Sequence, residues 1–180
     1  DARFDARRMI VWGHSRNGKD ALIAMAFDPR IAGAIAHQSG RGGAALTRSL
    51  RGESVAQITK SYPYWFAPGF KDYAGREDQL PIDQHLLIAL AAPRPILLTG
   101  ARSDGWADPE SAFRAARDAT PVYRLMGAQG LHQTDMQHTE LKADLSFYIR
   151  PGNHGSTTRD WATFLDWLDA HFGAPPPAGR

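Results

Sequence analysis

The chain has 180 residues, of which 43% are hydrophobic and 22% are charged, a composition typical of a globular domain. Its formal net charge at pH 7 is only +2 and its lysines and arginines form no block, so the sequence does not indicate binding to nucleic acid. No apolar run approaches the roughly 18 residues of a transmembrane helix, and the lack of cysteine excludes disulfide bonds while leaving the compartment open.

The first predicted element is a strand over residues 9–12 that runs into a turn carrying one serine. Gly13, Ser15 and Gly18 follow this strand, and a helix is predicted over residues 17–27. Such a strand–turn–helix is typical of a nucleophile elbow, which lifts a serine hydroxyl above the edge of a parallel sheet. The second glycine lies one residue later than in the usual G-x-S-x-G pattern. Nucleotide-binding turns also join a strand to a helix through glycines, so the turn alone leaves both functions open.

The remaining elements alternate between strands and helices, which predicts an α/β protein built from βαβ units. A long segment rich in glycine and aromatic residues, 40–71, interrupts this alternation and is predicted to line a site. In chain order, further strands are predicted over residues 33–37, 96–100, 122–125 and 147–150, and further helices over residues 83–90, 109–116 and 158–172.

An aspartate and a histidine follow later strands in the order that α/β-hydrolases use for their catalytic triad. Asp104 comes shortly after the strand at 96–100, and His154 lies in a glycine-flanked turn after the strand at 147–150. Because the carboxyl ends of parallel strands share one edge of a sheet, both side chains are expected near Ser15. Asp108 directly precedes Pro109 and is predicted to be a helix N-cap instead.

Eight short strings give the chain a resemblance to the glucuronoyl esterases, carbohydrate esterase family 15, and especially to their bacterial branch. They are GHSRNGK (13–19), HQSGRGGA (37–44), GESV (52–55), YWF (64–66), LPIDQH (80–85), APRP (92–95), DGWADP (104–109) and GNH (152–154). The resemblance implies an α/β-hydrolase fold, a three-layer sandwich with a mostly parallel sheet. It also implies a serine esterase that cleaves the ester between a 4-O-methyl-glucuronic acid branch of xylan and an alcohol of lignin. No cofactor and no metal are expected.

The resemblance also implies roles for individual residues. Ser15 would be the nucleophile, His154 the general base and Asp104 the acid that orients it. Arg16 would bind the oxyanion, and the glucuronate would be bound by Lys19, Glu53 and Trp106. One departure affects the acid, because fungal members carry a glutamate where this chain has Gln38. A glutamine cannot stabilise an imidazolium by charge, so the acid is expected at Asp104, a position that some bacterial members use.

Each proposed binding residue also has a simpler interpretation. Lys19 could be a solvated helix residue, Glu53 could cap the segment through Val55, and Trp106 could pack in the core. Two other functions stay open: another serine hydrolase of the same fold, such as an acetyl-xylan esterase or a peptidase, and an inactive carbohydrate-binding relative. Convergence of the three residues beside Ser15 would disfavour the former. The latter requires Asp104 and His154 to lie out of reach of each other.

The elbow strand lies near the start of this chain, whereas α/β-hydrolases normally place several strands before it. We therefore expect residues 1–173 to be the C-terminal part of a longer catalytic domain, followed by a proline-rich tail over 174–180. The preceding part would supply more of the sheet and backbone donors for the oxyanion. The resemblance implies a secreted or periplasmic protein whose partner is a glucuronoxylan or lignin–carbohydrate ester, with no nucleic-acid or membrane partner.

Overall fold

A computed structural model describes residues 4–173, so the predicted tail over 174–180 lies outside the described residues. Its strands form one parallel sheet in the order β1 (Ile10–His14), β2 (Gly33–His37), β3 (Ile96–Ala101) and β4 (Leu145–Arg150). Its α-helices are α1 (Arg16–Phe27), α2 (Val55–Ser61), α3 (Gln84–Ala89), α4 (Pro109–Leu125) and α5 (Thr158–Phe172). None of these helices has the length and apolar character needed to cross a membrane.

The sheet is covered on both faces, as parallel sheets require. Successive side chains of a strand point to opposite faces. On one face, alternate residues of β2, β3 and β4 pack with apolar residues of α1, α3 and α4: Ala34, Ala36, Ile96, Leu98, Leu145 and Phe147. On the other face, Ile35, Leu97 and Tyr148 pack against Phe164 and Trp167 of α5. The result is a helix–sheet–helix sandwich, which confirms the predicted fold class.

One predicted element is wrong. The strand expected over residues 122–125 is the last turn of α4, which runs on past residue 116 to Leu125. Pro121 lacks an N–H and Val122 is β-branched, and both features disfavour a helix. Ala115, Ala119 and Tyr123 nevertheless share one fully buried helix face, and burial of that face keeps the segment helical. Apart from the C-terminal end of α4, the other predicted elements agree with the structure to within two residues at each end.

Between β2 and α3 the chain leaves the sheet in a long excursion, residues 38–83, that contains only α2 and three short 3₁₀ turns. Its first half is organised around the buried guanidinium of Arg41. That group donates hydrogen bonds to backbone carbonyl oxygens of Leu46, Thr47, Ser49, Arg51 and Glu53. Since backbone carbonyls in the interior need donors, one arginine here replaces the hydrogen bonds that a strand or helix would have given.

Candidate active site

Ser15 occupies a sharp turn between β1 and α1. Its backbone has φ 57° and ψ −116°, a conformation that non-glycine residues rarely adopt and that costs about 1–3 kcal/mol. The turn is so tight that a Cβ at Gly13 would lie 1.9 Å from the carbonyl oxygen of Asn17. A Cβ at Gly18 would lie 2.9 Å from Cβ of Ser39, so the second glycine lets α1 approach the excursion. Gly18, which lies one residue later than in the usual pattern, is thus required by the packing of this elbow.

Asp104 and His154 are hydrogen-bonded to each other. The carboxylate of Asp104 is buried after β3, and its Oδ2 lies 2.6 Å from Nδ1 of His154. This contact leaves Nε2 of His154 free to accept a proton, and His154 lines the same cavity as Ser15. In the described part of the chain, Ser15 Oγ and His154 Nε2 are not hydrogen-bonded to each other, as is common before a substrate aligns such groups. Asp108 instead accepts a hydrogen bond from the backbone N–H of Ser111 and caps α4, as predicted.

A cavity of about 260 Å³ joins these groups to the predicted binding residues. Twelve residues line it: Ser15, Arg16, Lys19, Gln38, Ser39, Gly40, Glu53, Tyr62, Trp65, Trp106, Ala107 and His154. The structure therefore brings every sequence-predicted site residue except Asp104 to one cavity wall, and Asp104 reaches it through His154. Among residues 4–173, no group of three histidine or acidic side chains is arranged to hold a metal ion.

The simpler interpretations of Lys19, Glu53 and Trp106 do not hold. Lys19 donates a hydrogen bond to the carbonyl oxygen of Ser39, and burial lowers its pKa to about 8, so it is not a solvated helix residue. The cap of α2 is Ser54, which forms a capping box with Gln57. Glu53 is buried instead, and burial raises the pKa of its carboxyl although the nearby Lys19 opposes the rise. Trp106 is 55% exposed and so does not pack in the core.

The guanidinium of Arg16 lies over two aromatic rings of the excursion. Its Cζ is 5.2 Å from the ring centroid of Tyr62 and 5.9 Å from that of Trp65, and those two rings stack 3.9 Å apart. Cation–π attraction thus holds Arg16, whose guanidinium makes no hydrogen bond to residues 4–173 and keeps its donors free for an anion. The aromatic-rich segment 40–71 is predicted to line a site, but the contact of its rings with Arg16 has no local signal, because it joins segments far apart in the chain.

Gln38 supports the loop after β4. Its Oε1 accepts a hydrogen bond from the N–H of Gly155 at 2.8 Å and lies 3.1 Å from Nε2 of His14. The ring of His14 lies 4.6 Å from that of His154. Burial lowers the pKa of His14 and brings the pKa of His37 to about 4, so His37 is neutral at neutral pH. Gln38 is therefore a neutral structural residue, and Asp104 is the carboxylate that contacts His154.

Comparisons with known proteins agree with this geometry. The family model described as "Glucuronyl esterase, fungi" matches residues 1–127. Carbohydrate esterase MZ0003, from an unknown prokaryotic organism, is 45% identical over 173 residues, which are 95% of this chain and 40% of that protein. The 4-O-methyl-glucuronoyl methylesterase 1 of Wolfiporia cocos is 36% identical over 138 residues, 73% of this chain and 34% of that protein.

The fold is also similar to that of solved esterases. A promiscuous CE15 esterase from a marine bacterial metagenome superimposes with a TM-score of 0.91 at 44% identity, over 96% of this chain and 44% of that one. The present chain thus spans well under half the length of the relatives that it matches.

Proposed function

The chain belongs to the glucuronoyl esterase family, carbohydrate esterase family 15, and we propose that the protein hydrolyses 4-O-methyl-glucuronate esters that link glucuronoxylan to lignin alcohols. One observation carries the proposal. Ser15 and the Asp104–His154 pair share a cavity with the cation of Lys19, the carboxyl of Glu53 and an exposed indole, Trp106. Ser15, His154 and Asp104 are suited to acyl transfer, and Lys19, Glu53 and Trp106 are suited to binding a sugar acid.

The reaction follows from these positions. Oγ of Ser15 attacks the ester carbonyl while Nε2 of His154 takes its proton, and Asp104 stabilises the imidazolium through Nδ1. Negative charge then develops on the former carbonyl oxygen, where the free donors of Arg16 bind it; such a donor is worth about 3–4 kcal/mol. His154 returns the proton to the departing alcohol, which leaves the glucuronoyl group esterified to Ser15. Water, deprotonated by His154, then releases the glucuronate.

A cationic side chain, an acidic side chain and an aromatic ring are available to bind a glucuronate. Lys19 offers three N–H donors and Glu53 offers acceptor oxygens, a combination suited to adjacent ring hydroxyls. The half-exposed indole of Trp106 provides a flat surface for the apolar face of a pyranose. Binding of the ring by these side chains would hold the ester carbonyl above Ser15, and this positioning would lower the barrier to attack.

A second candidate function is hydrolysis of a wider set of esters, such as acetyl esters of xylan. The similarity to a relative described as a promiscuous CE15 esterase supports it. The inactive carbohydrate-binding alternative is disfavoured, since Asp104 and His154 lie within hydrogen-bond distance.

The test is hydrolysis by the full-length protein of methyl and benzyl glucuronate esters, with acetyl esters as the control. We expect kcat/KM to be at least about tenfold higher for the glucuronate esters, the scale of one hydrogen bond to a charged group. Equal or faster cleavage of the acetyl esters would favour the second candidate. Because the proposed substrate is a cell-wall polymer that does not enter cells, we also propose that the protein acts after secretion or in the periplasm.

A further inference from the structure

A buried arginine at the end of β4 lies beneath the loop that carries His154. Arg150 is 5% exposed, and its Nε lies 2.8 Å and 3.0 Å from the two carboxylate oxygens of Asp160 in the first turn of α5. Asp160 is fully buried and also accepts a hydrogen bond from the N–H of Thr157 at 2.7 Å. The guanidinium is thus anchored to α5 through a buried ion pair.

The other two guanidinium nitrogens of Arg150 donate hydrogen bonds to the loop that carries His154. They donate to the carbonyl oxygens of Pro151 at 2.9 Å, of Asn153 at 3.2 Å and of Gly155. Three of the five residues from 151 to 155 therefore have their carbonyl oxygens bound by one side chain. His154 lies between the last two of them, so any displacement of these carbonyls moves its backbone.

Gly155 is held from several sides. Its carbonyl oxygen also contacts Nε2 of His37 at 3.1 Å, and its N–H donates to Oε1 of Gln38 at 2.8 Å. Gly152 and Gly155 have φ values of 97° and 139°, so this loop has the backbone freedom of glycine and forms no strand or helix of its own. Side chains from β2, β4 and the excursion, together with a hydrogen bond from the backbone N–H of Ser103 to the carbonyl oxygen of Gly152 at 2.9 Å, therefore fix this loop.

We infer that Arg150 is a positioning residue for the reaction, because it fixes the 151–155 loop and thereby sets His154 against Asp104 and Ser15; this inference rests on the proposed function. A buried ion pair alone is weak evidence for stability, since apolar residues can replace one at no loss. All three guanidinium nitrogens of Arg150 are hydrogen-bonded, either to Asp160 or to carbonyl oxygens of the loop. This arrangement indicates that Arg150 selects one conformation of the loop. A lysine, with a single nitrogen, cannot span these acceptors.

Another arginine provides a matched control. Arg94 likewise donates to four backbone carbonyl oxygens: that of Ala91, and those of Met25, Asp28 and Ile31 between the end of α1 and the start of β2. The contacts with residues 25–31 lie near the amino ends of the strands, whereas Ser15 lies at the carboxyl end of β1. Arg94 therefore makes the same kind of contact as Arg150, with no connection to the His154 loop.

The experiment compares Arg150→Lys with Arg94→Lys in the full-length protein, on any ester that the protein cleaves, with kcat, KM and Tm measured for both. We expect Arg150→Lys to lower kcat about 10–100-fold while KM stays within about twofold, the effect of a misplaced catalytic group. Arg94→Lys should lower Tm with kcat within about twofold of wild type. A kcat of Arg150→Lys within twofold of wild type, or equal losses of kcat in the two variants, would overturn the inference.

A measurement on the unmodified protein covers the case in which Arg150→Lys does not fold. The amide of Gly155 should resist hydrogen exchange as strongly as those of β4, since the loop conformation that Arg150 fixes places this N–H against Oε1 of buried Gln38. Exchange at the rate of an unstructured peptide would overturn the inference. If the protein cleaves acetyl esters but not glucuronate esters, the proposed substrate fails, while the comparison of the two arginines is still decided on the acetyl ester.

Discussion

The two sides of the cavity are built in different ways. Ser15, Asp104 and His154 each lie within four residues of the end of a parallel strand, so the sheet itself brings them together. Glu53, Tyr62 and Trp65 come from the excursion, where side-chain hydrogen bonds such as those of Arg41 take the place of regular structure. The sheet edge thus supplies the groups proposed to react. The excursion supplies the two rings against Arg16 and Glu53, which is proposed to contact the substrate together with Lys19 of α1. This division predicts that changes on the two sides have different kinetic consequences.

The largest expected effect is at the sheet edge, in Ser15→Ala. Loss of a nucleophile typically costs on the order of 10⁶ in kcat, because the triad acts as a unit. Alanine can occupy the same turn, so the circular dichroism spectrum and Tm should stay close to those of wild type. Activity of the purified variant within tenfold of wild type would exclude a serine mechanism.

The next effect distinguishes two aspartates of one loop. Asp104→Asn should lower kcat by roughly 10⁴, the scale expected when a triad aspartate loses its charge. Asp108→Asn is its matched control, because asparagine caps a helix as well as aspartate does. It should leave kcat within about threefold of wild type. The assignment of the acid would be wrong if Asp108→Asn were the inactive variant and Asp104→Asn the active one.

On the binding side we expect losses that depend on the substrate. Glu53→Gln and Lys19→Met should each lower kcat/KM for glucuronate esters by roughly 10–150-fold, the worth of a hydrogen bond to a charged group. Small acetyl or butyrate esters lack the sugar hydroxyls, so their kcat/KM should change little. Equal losses on both kinds of ester would mean that Lys19 and Glu53 support the elbow structurally, and the contrast between the two sides would then disappear.

The smallest effect is a dependence on pH. Burial lowers the pKa of Lys19 to about 8, so the ammonium is present below that pH and is lost as the pH rises through it. Because kcat/KM reports the ionisations of the free enzyme, its value for glucuronate esters should fall about fivefold above pH 8 as a charged donor becomes neutral. Lys19→Arg, which does not titrate in this range, should remove the fall. A pH profile unchanged in Lys19→Arg would show that another group titrates.

The two sides also differ in how far the sequence predicts them. A strand followed by a turn is a local signal, so the positions of Ser15, Asp104 and His154 at the sheet edge could be predicted. The contacts of Arg16 with Tyr62 and of Arg150 with Asp160 have no local signal. An arginine that contacts a ring or a carboxylate from another segment cannot be told from a solvated arginine by sequence alone. The continuation of α4 from residue 116 to Leu125 could not be predicted for a related reason, since tertiary burial outweighs local propensity there.

The most direct measurement of the central claim is a crystal structure of the full-length Ser15→Ala protein with a methyl ester of 4-O-methyl-glucuronic acid. The account predicts the ester carbonyl above residue 15, its oxygen within hydrogen-bond distance of Arg16, and ring hydroxyls bonded to Lys19 and Glu53 beside Trp106. A sugar bound elsewhere, or one whose ring contacts neither Lys19 nor Glu53, would contradict it.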